Sequence, residues 1–155
     1  MRIRHGLAGI ALLAAGCGSL PGTGHGDHAA AIADARIAVA FPEPMRSHTL
    51  ANMRDHLAAL QEIQQGLAEG DVDRAARVAE TRLGMTSLQS HGAHDVATYM
   101  PEGMQAIGTQ MHRAASRFAV QAANAGATGD VKPALAALSA VTAQCVACHA
   151  GYRIR

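Results

Sequence analysis

Val131-Lys132-Pro133-Ala134-Leu135-Ala136-Ala137-Leu138-Ser139-Ala140-Val141-Thr142-Ala143-Gln144-Cys145-Val146-Ala147-Cys148-His149 carries two patterns at once. Pro133 belongs in a first helical turn, where its missing N–H costs nothing. From there Leu135, Leu138, Val141 or Thr142, and Cys145 recur at spacings of three and four, the period of one helix face. The stripe runs on into Cys148 and His149. Cys145 stands at i, Cys148 at i+3 and His149 at i+4, so all three groups share one side of the helix. The periodicity that defines the core face therefore delivers two thiols and an imidazole towards the core.

The chemistry of Cys145-x-x-Cys148-His149 is that of haem attachment. Two thiols add across the two vinyl groups of a porphyrin, and the next residue is an imidazole that binds the iron from the same segment. Two other uses of C-x-x-C were weighed. A redox dithiol sits beside a strand in a βαβ pattern, and no such pattern is visible. A structural zinc site needs two more ligands, and the sequence has no second C-x-x-C. The expectation is one covalent haem c, with Cys145 and Cys148 as thioethers and His149 as the iron ligand.

The other end of the chain bears on the remaining cysteine. Arg2 and Arg4 precede an uncharged apolar run, residues 7–15, which leads into Gly16 and Cys17. A basic start, a short apolar run and small residues describe an export signal, and the run is too short to span a bilayer. Leu13-Ala14-Ala15-Gly16-Cys17 resembles the lipobox of bacterial lipoproteins, with Ala14 where Leu is commonest. The resemblance implies a signal peptide at 1–16, lipidation of Cys17, and a periplasmic protein anchored to a bacterial membrane through lipid only. The alternative is ordinary cleavage nearby, with Cys17 free or removed. The chain has 3 cysteines, and an odd number in an exported protein needs a reason. Lipid on Cys17 and haem on the other two use all of them, and no disulfide is expected.

Without residues 1–16 the 155-residue chain keeps 139, enough for one domain with a real core. Its 13 basic residues fall to 11 against 12 acids, a net charge of −1 with His neutral. No basic patch stands out, so a nucleic-acid partner is not indicated. Ala, Leu, Met, Gln and Arg are abundant, aromatic residues make up 3% and Trp is absent, a helical composition. Residues 18–27 read as a polar tether and 29–40 as an Ala-rich loose helix, so the segment 17–40 is assigned to the tether. Pro42 and Pro44 break the chain, and the domain is placed at 41–155.

Four helical segments follow. Residues 45–68 carry Leu50, Met53, Leu57, Leu60, Gln64 and Leu67 at helical spacing. Residues 72–85 start at a cap by Asp71 and present Ala75, Ala79 and Leu83. Residues 87–98 read as a loop, with a short helical turn at most. A third helix begins at Pro101, with a stripe of Met104, Ile107, Met111, Ala115 and Phe118. Residues 126–130 turn the chain into the fourth. The fold class expected is all-α, an antiparallel up-down-up-down four-helix bundle.

The tail Cys145-x-x-Cys148-His149-x-x-Tyr152-Arg153, on the last of four helices, resembles the class II c-type cytochromes: cytochrome c-prime and its low-spin relatives. The resemblance covers residues 45–155 by helix count and spacing, and the C-terminal motif is its specific part. It implies a haem inside the bundle near its end, His149 as proximal ligand, and Arg153 as a candidate cover for a propionate, though a solvated Arg is the commoner reading. It also implies that the group opposite the iron comes from the first helix. Arg46-x-x-x-Leu50 fits the family spacing and makes Leu50 the distal shield of a five-coordinate iron. Met53 lies one turn on, and counting back from Gly70-Asp71 favours it as a sixth ligand. Met53 is preferred, because a thioether gains a bond that Leu cannot supply, although Met on a helix stripe is usually core filler.

His48 and His56 flank that stripe and could compete for the iron. His91 and His94 with Asp95 have the chemistry of a zinc or copper set, with surface or capping roles the commoner reading. Met100, Met104 and Met111 are expected to pack between helices or around a macrocycle. No nucleophile–base or acid pair is visible, so an enzyme is not indicated. Three functions are carried forward. The first is electron transfer with redox partner proteins in the periplasm. The second is a five-coordinate protein binding nitric oxide or carbon monoxide. The third is a haem-free helical lipoprotein. Pairing into a homodimer is implied by the family only.

Overall fold

The computed structural model describes residues 34–155. Cys17, the expected signal and residues 17–33 of the expected tether lie outside the described residues. The described residues are mainly helical, as the composition implies, with one short two-stranded ribbon in addition.

The chain enters through β1 (Ile37–Val39) and turns at Pro42 and Pro44 into α1 (Met45–Glu69). α1 stops at Gly70, whose φ of +76° suits only a residue without a Cβ, and whose N–H bonds the carbonyls of Gly66 and Leu67. Asp71 then accepts a hydrogen bond from the Arg74 N–H at 3.0 Å and starts α2 (Val72–Arg82). Gly66 makes this tight corner fit. A Cβ there would sit 3.0 Å from the Asp71 carbonyl oxygen and 3.2 Å from the Ala75 nitrogen.

α2 ends three residues short of the expected Met85, because Leu83 and Gly84 leave the helix with their N–H groups turned back on Ala79 and Glu80. The connection that follows is more ordered than a loop. It contains a 3-10 turn at Met85–Ser87 and a short helix, α3 (Ala93–Ala97). Pro101 leads into α4 (Glu102–Thr128), which ends at Gly129 with φ +73°. Pro133 lies in the first turn of α5 (Lys132–Gly151), and β2 (Tyr152–Ile154) closes the chain. β1 and β2 pair in parallel, Ile37 with Tyr152, Ala38 with Arg153 and Val39 with Ile154. The described residues thus include a strand at Ile37–Val39, where a loose helix was expected ahead of residue 41. Val39 and Phe41 are buried, which fixes that segment.

α1, α2, α4 and α5 share one core: Ala59 and Ile63, then Ala75 and Ala79, then Met111, Ala115 and Phe118, then Ala134, Leu138 and Val141. Alanines at the contacts let backbones approach closely, and Phe118, Ile63 and Leu83 supply the bulk. The close pairings run α1 with α2, α2 with α4 and α4 with α5. A second apolar cluster joins Val39, Phe41, Val96 and Met104, with Met45, Met100, Cys148, Tyr152 and Ile154 packed against it.

Candidate functional site

The last turns of α5 hold the three motif residues. Cys145 is half-buried against the main core and Cys148 half-buried against the second cluster. Both are free thiols. The Cys145 Sγ–H lies 3.6 Å from the Val141 carbonyl it donates to. Burial pushes both thiols above their ordinary value, and the nearness of Cys145 adds to the rise at Cys148. A redox dithiol depends on a depressed thiol pKa, and here both shifts run the other way. His149 is exposed, one residue past Cys148, and its carbonyl oxygen accepts from Arg36 Nη1 at 3.4 Å. Val146 on the adjoining face is 68% exposed.

α1 departs from the expected packing. Its buried residues are Thr49, Ala59, Ile63 and Gly66. Of the larger stripe, Leu60 and Leu67 pack against the core, while Leu50 is half-buried, Met53 37% exposed and Leu57 70% exposed. α5 repeats the pattern, since Leu135 is 50% exposed and Ala134 takes the core position. α5 is long and apolar enough to cross a membrane by length and composition alone, with mean hydropathy 1.4, yet Ala134, Leu138 and Val141 are core residues. The contact that ties the start of α1 to the motif runs through Met45, which joins the cluster holding Cys148. Leu50 and Met53 are not members of that cluster.

Beside His149 stands an ion cluster that spacing did not suggest. Arg36 Nε and Nη2 donate to Asp34 at 2.9 and 2.8 Å, and Arg153 Nε lies 3.2 Å from the same carboxylate. The hydrogen bonds from Arg36 hold the Asp34 carboxyl at about 2. Asp34 and Arg153 meet only because β1 pairs with β2, so no local sequence signal marks them. A hollow of about 310 Å³ is lined by Met45, His48, Gly92 and Val96.

The histidines regroup. His91 and His94 do not converge; His94 is exposed, while His91 turns towards α1 and α4. His56, His91 and His112 form a trio with ring centroids 4.8, 5.5 and 6.0 Å apart. Among the described residues no set of three His, Cys, Asp or Glu is gathered as a metal site. Ser87 Oγ lies 3.4 Å from His91 Nδ1, but it is buried and gives its proton to the Gly84 carbonyl at 2.7 Å. It is a structural hydroxyl and not a nucleophile with a base.

Comparison of the chain with protein-family models, with curated proteins and with solved structures finds no match.

The residues at the end of α5 fit a haem c. Two neutral thiols at i and i+3 and an exposed imidazole at i+4 share one side of a helix. Apolar side chains of α1 and α5 remain without cover.

Proposed function

We propose that this chain is an exported c-type cytochrome that carries one covalent haem c and transfers electrons in the periplasm. The observation that supports it most is Cys145-x-x-Cys148-His149 at the end of a core helix, with thiols that are free and protonated and an imidazole that is exposed. Cys145 and Cys148 would hold the porphyrin as thioethers, and His149 would bind the iron. Bound there, a haem supplies one-electron chemistry. The chain supplies the rest. Met45 and Leu50 would shield the group from water, Met53 is the sixth ligand of this reading, and Arg36 and Arg153 place positive charge beside it.

The fold in this reading is an antiparallel up-down-up-down four-helix bundle of the class II cytochrome kind, in which α1, α2, α4 and α5 are the four helices. The core shared by those helices supports it. Cys17 would carry the lipid that anchors the protein.

A second reading, a five-coordinate haem protein that binds nitric oxide or carbon monoxide, has one observation in its favour. Met45 packs into the cluster that holds Cys148. Leu50 is then about 7.5 Å along α1 from that level and Met53 about 12 Å, at 1.5 Å per residue. That register favours Leu50 over Met53 opposite His149.

Absorption spectra of the oxidised and reduced protein, from cells with cytochrome-maturation machinery, test both. A low-spin spectrum that Met53→Ala turns high-spin supports electron transfer with Met53 as ligand. A high-spin spectrum with carbon monoxide binding to the reduced protein supports the second reading. A colourless protein at the mass of the bare polypeptide rejects both and leaves a haem-free helical lipoprotein.

A further inference from the structure

His56 comes from α1, His91 from the 83–101 connection and His112 from α4. His56 Nε2 and His91 Nδ1 are 3.5 Å apart, and His112 is 8% exposed. The connection is fastened at this point. The His91 carbonyl accepts from His48 Nε2 at 2.8 Å and from Asn52 Nδ2 at 3.0 Å, both on α1. The Leu83 carbonyl accepts from His112 Nδ1 at 2.8 Å, on α4. Because that nitrogen donates, the other nitrogen of His112 is the one that would take a proton. The charged groups facing the trio are few. α1 contributes His48 and Asp55, and α2 contributes Arg82. Asp55 is already bound by Arg82, whose Nε donates to it at 3.2 Å. Among the described residues, a proton on the trio therefore arrives beside two other imidazoles, with Asp55, itself held by Arg82, favouring it at His56 and His91 and Arg82 opposing it at His56.

We propose that His56, His91 and His112 form a proton-operated latch, which holds the 83–101 connection against α1 and α4 while all three rings are neutral and releases it when one is protonated. Burial first, and then the neighbouring rings, hold His56 at about 4 and His91 below the ordinary imidazole value. Burial also lowers His112, against the pull of the Leu83 and Gly84 carbonyls. An imidazole in the opened connection returns to about 6.5, so the open form gains protons that the closed form refuses. Release would also lift Val96 from its place beside Met45, Met104 and Cys148. The latch rests on described residues alone and does not depend on haem or on the function proposed above.

Amide hydrogen exchange of the full chain, corrected for intrinsic rates, tests it at pH 7 and pH 5. The amides of His91, Ala93 and Val96 report the connection, and those of α4 and α5 report the core. The expected result is faster exchange of the connection at pH 5, by roughly 20-fold for His56 alone, with the core amides remaining the more protected at both pH values. His56→Gln should remove most of that response. Should His56→Gln fail to fold at pH 7, His112→Gln takes its place under the same criterion. Equal protection of connection and core at both pH values overturns the latch, as does a variant that keeps the full response.

Discussion

At the scale of single residues, Cys145 and Cys148 carry the functional reading, and their protonation makes it testable without any cofactor. Burial raises both thiols, so in haem-free protein they should react with a disulfide reagent at pH 7 to 8 more slowly than free cysteine. A rate at or above that of the free amino acid would point back to a redox dithiol. In protein matured with haem, Cys145→Ser combined with Cys148→Ser should abolish the haem stain that survives a denaturing gel, because no thioether can form. Phe118 is the largest fully buried side chain. Phe118→Ala should cost about 3–5 kcal/mol, read as a lower denaturant midpoint at unchanged slope. These residues differ in how openly the sequence announced them. A C-x-x-C-H motif is local and legible. The meeting of Asp34 with Arg153, or of His56 with His112, depends on which elements come to lie together, and no spacing encodes it.

At the scale of elements, the helices were legible and their orientations only partly so. Pro44, Gly70, Asp71, Pro101 and Pro133 marked ends that the structure places within a residue or two, while α4 runs to Thr128, into the turn expected at 126–130. Ala75 and Ala79 on α2, Leu83 just past its end, and Met104, Met111, Ala115 and Phe118 on α4 are buried as their spacing implied, while Ile107 is half-buried. The expected stripe of α1 divides: Leu60 and Leu67 pack against the core, while Met53 and Leu57 stand exposed. Ala59 and the bulky Ile63 are buried, and Gly66 permits the short approach to α2 at Asp71 and Ala75. Gly66→Val tests this. Its side chain would push against backbone at Asp71 and Ala75, and the expected loss is about 1–3 kcal/mol in chemical denaturation. A neutral outcome would mean that the corner between α1 and α2 is looser than described.

At the scale of the whole molecule, the histidine trio sets the response to acid. All three imidazoles are held below their ordinary value in the folded state. Above about pH 6.5 the rings are neutral whether the chain is folded or not, and stability is at its plateau. As pH falls through 6.5 the unfolded chain binds protons that the folded chain excludes. Each such ring then lowers stability by about 1.4 kcal/mol per pH unit, and for His56 this continues until pH about 4. Below the ordinary carboxylate range Asp34 adds to the loss, because its carboxyl is held at about 2 by Arg36. Thermal unfolding followed between pH 7.5 and 4.5 should give a midpoint that falls steadily below pH 6.5. A midpoint flat to pH 5 would mean that the trio is wetter than its burial suggests. The helical architecture was open to reading from composition and caps. The seating of α3, the ribbon and the trio was not, because each arises from contacts between segments far apart in the chain.

The ribbon joins the chain just before α1 to the chain just after α5, and its two strands run the same way. Tension transmitted along the residues ahead of Asp34 would therefore load β1 against β2 in shear, straining all of the ladder's hydrogen bonds together instead of opening them one by one. The first structure behind that ladder is the final turn of α5. A pull from that side would load α5 through the ladder as well as α1 through residues 40–44, so the motif lies beside one of the two points that would take the strain.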